Sequence, residues 1–187
     1  MRDSMKITVK YQFCIMLLQH LAAAGVTFVF GMVAFWYFLS RSVWKELLSV
    51  VFIAVYFILL YSKSKKFAAL DNKTYTPLEP KLVKGFMFGG AIAAAMLVFF
   101  ALYELDWQFF SEGDSVIGVI PTAVNAIFYF LSFPYNGLMN MHCGAITWYS
   151  VVLMAVVPIA ACGAGYYSGI KNIQIMEKIE SFMYEKE

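Results

Sequence analysis

The stretch Ser115–Ile170, SVIGVIPTAVNAIFYFLSFPYNGLMNMHCGAITWYSVVLMAVVPIAACGAGYYSGI, runs for 56 residues without one Asp, Glu, Lys or Arg. A water-soluble domain must solvate its outer face, and charged side chains supply most of that solvation because they are almost never fully buried. Two further stretches, Tyr11–Ser40 and Gly85–Tyr103, have the same property. The charges are confined to the short segments between them. This is the charge distribution of an integral membrane protein.

Composition agrees. The chain has 187 residues, 61% of them hydrophobic and 14% charged, with a mean hydropathy of +0.70. Disorder needs the opposite balance, and no uninterrupted polar segment approaches the ~50 residues of a small soluble domain. The net charge of +2 is unevenly spread: Met1–Lys10 carries +2, Arg41–Glu46 +1, Lys63–Lys84 +4, Glu104–Asp114 −4 and Lys171–Glu187 −1. Arg2, Lys6 and Lys10 ahead of an apolar run with Ala22-Ala23-Ala24 resemble a secretory leader, but the run continues to Leu39, longer than a leader's apolar region. A retained first span is expected.

A helix needs roughly 20 apolar residues to cross the ~30 Å hydrocarbon layer. The sequence predicts an all-α membrane protein with four transmembrane helices, at about 12–39, 43–62, 81–103 and 145–168, and an outer amphipathic, interfacial or re-entrant helical segment over 116–141. Ser42 is the expected N-cap of the second span, Pro80 stands near the start of the third, and Pro158 bends the last. Thr76-x-x-Glu79 also has the form of a capping box. Lys and Arg counting decides the number of crossings. Four spans place 12 Lys+Arg on the side of the N-terminus and 2 on the other; a fifth span would change this to 9 against 5. Both termini are therefore expected in the cytoplasm.

The 116–141 segment carries a polar stripe, Thr122, Asn125, Tyr129, Ser132, Asn136 and Asn140, interrupted by Pro134. Its aromatic residues suit the headgroup boundary. Residues 171–187 form an amphipathic cytoplasmic tail with Ile175, Met176, Ile179, Phe182 and Met183 on one face.

Small residues let membrane helices approach closely. Gly85, Gly89 and Ala93 form one such face, with Gly90 and Ala94 alongside. Ala161, Gly165 and Gly169 form another, with Ala160, Ala164 and Ser168 beside it. Ala24, Gly25 and Gly31 contribute from the first span. Packing within the bundle is the favoured use, and a homo-oligomer face is the other.

Few residues suggest chemistry. His20, beside Gln19, is the one histidine inside a span, where an ionisable group is a candidate for proton relay or ligand binding. A neutral imidazole satisfied by one interhelical hydrogen bond is the simpler alternative. Asn125 and Ser132 are further candidates for a polar cavity lining. No Asp or Glu is expected at the depth of a span, which disfavours an ion-coupled carrier. Glu104, Asp106, Glu112 and Asp114 lack the grammar of a calcium loop, and His142-Cys143 lacks the partners of a zinc site, so neither metal nor cofactor is expected. Cys14, Cys143 and Cys162 show no paired spacing. Lys63, Lys65, Lys66, Lys73, Lys81 and Lys84 suit anionic lipid, each worth about 1 kcal/mol near the surface, rather than nucleic acid. No nucleotide-binding, serine-hydrolase or zinc-protease motif occurs.

Tyr75-Thr76-Pro77-Leu78 leading through Lys81 to Gly85, then Pro121, Asn125 and Phe133-Pro134, then Pro158 and Cys162-Gly163-Ala164-Gly165-Tyr166-Tyr167-Ser168-Gly169, make most of the chain after residue 60 resemble a group of small multispan plasma-membrane proteins of Gram-positive bacteria. That group has no activity to carry over. The resemblance implies a bacterial plasma membrane and four spans, and assigns no catalytic residue. The expected function is a non-enzymatic accessory or assembly subunit of a larger membrane complex. An oligomeric small-solute transporter or channel component is the alternative, and a membrane enzyme ranks third.

Overall fold

A computed structural model describes residues 9–38, 42–72, 80–110, 119–138, 146 and 148–171. These form five α-helices, α1 (Val9–Phe38), α2 (Ser42–Asp71), α3 (Leu82–Phe110), α4 (Val119–Leu131) and α5 (Trp148–Ile170), with one 3-10 turn at Phe133–Tyr135. The protein is an all-α membrane protein: α1, α2, α3 and α5 are each long and apolar enough to cross a bilayer. Each also carries bulky apolar side chains on its outside, such as Leu18, Ile58, Val98 and Val156, where lipid rather than water is the fitting solvent.

The four long helices form a ring in the order α1, α2, α5, α3. Gln12 near the start of α1, Asp71 at the end of α2, Lys84 near the start of α3 and Tyr166 near the end of α5 meet. The chain therefore runs alternately up and down. The meeting point defines a lysine-bearing end, with Lys10, Lys63, Lys65, Lys66, Lys81 and Lys171 around it.

Small residues set the spacing around α5. A side chain at Gly165 would collide with the Tyr61 backbone, and one at Gly169 would lie 2.5 Å from the Lys65 carbonyl. These contacts seat α5 on α2. Gly85 faces Tyr166 and the Cys162 carbonyl, and Gly89 faces the backbone of Pro158 and Ile159, which seats α3 on the other flank. Ala93 and Ala161 are buried with them. Without a hydrophobic drive in lipid, such close backbone approach supplies the association energy. Ser64 Oγ adds a 2.7 Å bond to the Cys162 carbonyl. By contrast, Gly90 has open space around it, and Ala94, Ala160 and Ala164 are exposed, whereas Ser168, in the same row as the last two, is buried.

Two helices outrun the lengths expected from the sequence. α2 continues nine residues past Ser62, through the lysines, to Asp71. Lysine is a good helix former and keeps its ammonium at the rim while its stem lies on the helix, so charge does not end the helix. The inward face persists as Leu60, Ser64, Phe67, Ala68 and Asp71, all buried. α3 likewise continues beyond Tyr103 to Phe110. Pro80 stands two residues ahead of α3.

The segment between α3 and α5 leaves and rejoins the bundle at the end opposite the lysines, but it does not lie flat there. α4 is wedged between α3 and α1: Phe128 stacks on Tyr103 at 4.8 Å between ring centroids, and Phe130 meets Phe28 at 5.5 Å. The 3-10 turn, with Pro134 inside it, then carries Phe133 against Gly31, where any side chain would overlap the ring. Tyr135 reaches Tyr56, near the middle of α2. The return is fixed by Gly137 N–H donating to Ser49 Oγ at 2.7 Å and by Tyr149 and Ser150 hydroxyls donating to the Leu138 carbonyl. Along α4 the polar stripe turns inward, from exposed Tyr129 and half-buried Asn125 to fully buried Ser132.

Candidate functional site: two buried polar clusters

One face of α1 carries Gln12, Met16, His20, Ala23, Ala24 and Thr27, all buried. Thr27 turns its hydroxyl back onto the carbonyls of Ala23 and Ala24. Gln12 and His20 instead reach across the bundle, and each organises a cluster.

The first cluster lies mid-bundle. His20 Nδ1 and Tyr56 Oη are hydrogen-bonded at 2.8 Å, with the rings edge-on and their centroids 5.7 Å apart. Tyr135 packs edge-on against Tyr56 at 6.1 Å. His20 is 3% exposed, and both tyrosines are fully buried. His20 Nε2 and Tyr135 Oη have no hydrogen-bond partner among the described residues. A buried polar atom left unsatisfied costs about 1–3 kcal/mol. Gln19, half-buried, takes no part in the His20–Tyr56 bond. Ser132 donates to the Phe128 carbonyl at 2.7 Å, so its hydroxyl serves its own helix. Tyr135 is the polar group that the α4 hairpin, residues 119–138 comprising α4 and the 3-10 turn after it, brings to Tyr56.

The second cluster is at the lysine-bearing end. Gln12 Nε2 donates to Asp71 Oδ1 at 2.7 Å. Tyr166 Oη donates to Oδ2 at 2.6 Å, and Lys84 Nζ donates to the same oxygen at 3.1 Å. The Asp71 side chain is 1% exposed and that of Lys84 is 14% exposed. One carboxylate thus joins all four spanning helices, and each donor comes from a different one. Burying an ion pair costs desolvation that only good geometry and extra hydrogen bonds offset; here both oxygens are engaged.

No protein family, characterised protein or solved structure matches the chain.

Asp71 is buried at the end of α2, a position for which the sequence suggests no role, and Lys84 turns inward instead of joining the lipid-facing lysines. Asp71 reads as a loop charge when the second span is ended at the first lysine, and Lys84 reads as one more rim lysine at the start of the third span. The four- and three-residue steps from Tyr56 through Leu60, Ser64, Phe67 and Asp71 were the readable signal. Gln12 was readable too, two helical steps of four residues before His20. Tyr56 and Tyr135 had no sequence signal, since tyrosine is common in membrane helices for its ring alone.

Several sequence expectations fall outside the described residues: the side chain of Thr122, Asn140, the Thr76–Glu79 capping box, Glu112 and Asp114, His142-Cys143, and the tail face from Ile175 to Met183. Among the described residues, no group of three or more His, Cys, Asp or Glu side chains has metal-binding geometry.

Proposed function

We propose that the chain is a non-enzymatic subunit that helps to assemble a larger complex in a bacterial plasma membrane, with the lysine-bearing end and both termini in the cytoplasm. The observation that carries this reading is the commitment of Asp71. A buried acid in a membrane protein is a functional candidate by default, but Gln12, Tyr166 and Lys84 occupy its oxygens and make it a fastener of the bundle. A bundle fastened in this way presents fixed apolar flanks to its neighbours, as a laterally packed subunit must. The resemblance to multispan proteins of Gram-positive bacteria fits that location. The rim lysines suit anionic lipid.

In-membrane crosslinking followed by mild extraction and mass spectrometry tests the proposal. A membrane protein recovered in stoichiometric amount is expected, with crosslinks mapping to the outward faces. Recovery of a lone monomer from native membranes would overturn it, and recovery of a homo-oligomer would replace the partner with a second copy.

A second reading, an oligomeric small-solute transporter or channel component, is favoured by one observation: the α4 hairpin enters from the end opposite the lysines and stops at polar groups in the middle of the bundle. Irregular backbone at membrane depth is typical of segments that line a pathway or are buried in protein. Solute flux through the reconstituted protein, lost in His20→Ala or Asn125→Ala, is the expected result under this reading; flux unaffected by both substitutions would oppose it.

A further inference from the structure

Gln12 Oε1 is buried and has no hydrogen-bond partner among the described residues, although Nε2 of the same amide donates to Asp71 Oδ1 at 2.7 Å. We propose that Asp71 is a reversible proton-binding site, and that taking up a proton frees Lys84, and with it the start of α3, from the four-helix contact. A carboxylate can only accept, whereas a protonated carboxyl group also donates. Tyr166 and Lys84 both donate to Oδ2, so the proton belongs on Oδ1, where an acceptor is then required. A half-turn of the Gln12 amide puts Oε1 in the place of Nε2. The two groups are nearly the same size, so the exchange needs no extra room, and one end of the amide is unpartnered before and after it. The new Asp71 hydroxyl donates to Gln12 while Tyr166 still donates to Oδ2, so α1, α2 and α5 stay joined. What is lost is the charge that holds the Lys84 ammonium at 3.1 Å. That side chain is partly exposed and can turn to the rim, where its ammonium is solvated.

The groups around Asp71 make it the proton's destination. α1 brings the neutral Gln12, α5 the phenol of Tyr166 and α3 the ammonium of Lys84. The nearest charged residues on α2 itself are Lys63, Lys65 and Lys66, and Lys10, Lys81 and Lys171 stand at or next to the ends of the other helices. No second carboxylate shares this end among the described residues: Glu46 is near the start of α2, and Glu104 and Asp106 are near the end of α3. The proton comes from the solution on the lysine side, and Lys84 keeps its own. The tie to α3 is therefore present while Asp71 is ionised and is lost as the pH falls. This inference goes beyond the assembly reading and needs no partner subunit.

The test uses the full-length protein in lipid nanodiscs. On acidification, infrared difference spectra should gain a protonated-carboxyl carbonyl band that Asp71→Asn lacks, reversibly and with helix content unchanged. In Gln12→Leu, which keeps the Asp71–Lys84 pair but removes the acceptor, that reversible band should be lost. Asp71→Asn also offers the donor and acceptor of the protonated acid at neutral pH. There an amine-reactive reagent should modify Lys84 about tenfold faster than in the wild type, the change expected when a hydrogen bond to a charged group is lost. Lys66, exposed at the rim, should react equally in both. An Asp71 band that appears only as the helices melt would overturn the proposal. So would the same reversible band in Gln12→Leu, or Lys84 reacting at the wild-type rate in Asp71→Asn.

Discussion

Replacing Asp71 with Ala should be among the most damaging single changes available in this protein. The substitution removes the acceptor of Gln12, Tyr166 and Lys84 together. Breaking a buried ion pair by deleting one partner typically costs 3–5 kcal/mol, in order of magnitude. Lys84 is partly exposed and can swing toward the rim, which pulls the estimate down. Gln12 and Tyr166 are fully buried and cannot, so their stranded donors, at about 1–3 kcal/mol each, pull it back up. A loss of about 3–5 kcal/mol is expected. At about 2–4 °C per kcal/mol for a chain of this size, the unfolding temperature in mild detergent should drop by roughly 6–20 °C. Asp71→Asn keeps one acceptor oxygen and should lose about half as much. Lys84→Met should be milder than Asp71→Ala, and the double variant should be less destabilised than the sum of the two, because the residues form one network. An Asp71→Ala protein that unfolds within a degree of the wild type would refute the idea that this carboxylate ties the helices together.

Gly165→Ala and Gly90→Ala make a matched pair. The first must push α5 off the Tyr61 backbone and should cost about 1–3 kcal/mol, whereas the second enters open space and should be neutral or slightly stabilising by helix propensity; thermal unfolding of both in one detergent decides. Phe133→Ala should cost about 3–5 kcal/mol and make the α4 hairpin cleavable by added protease, since that ring fills the space left by Gly31. Among the cysteines, Cys14 faces outward and Cys162 is buried, so a lipid-soluble maleimide should label Cys14 and spare Cys162. Cys143 should react with an impermeant reagent added outside intact cells; labelling only after permeabilisation would refute the orientation.

The four spanning helices were legible because charge avoidance is a property of sequence and needs no knowledge of partners. Their ends were less so. The lysines after Ser62 carried the same letters whether they began a loop or decorated a continuing helix, and only the inward face of Ser64, Phe67 and Asp71 distinguishes the two. The small-residue faces were readable as candidates, but not which row would be used: Gly165 and Gly90 sit in similar patterns, one pressed on backbone and the other facing out. His20 announced itself by being the one histidine in a span. Its partner did not, because the His20–Tyr56 contact is set by how α1 and α2 are rotated about their axes, a quantity that local pattern does not encode. The inward path of α4 was hidden for a related reason. Alternating polar and aromatic residues describe a headgroup-level helix and a hairpin packed between α1 and α3 equally well.

α5, the last of the described helices, closes against both α2 and α3. Until α5 emerges, Gln12 and Lys84 can reach Asp71 but Tyr166 cannot, and the α2 and α3 surfaces that await its glycines stand open to lipid. The nascent protein must therefore wait in the membrane as loosely held helices until α5 has been made. Truncation anywhere before Trp148 should leave an unclosed intermediate, well suited to recognition by membrane proteases.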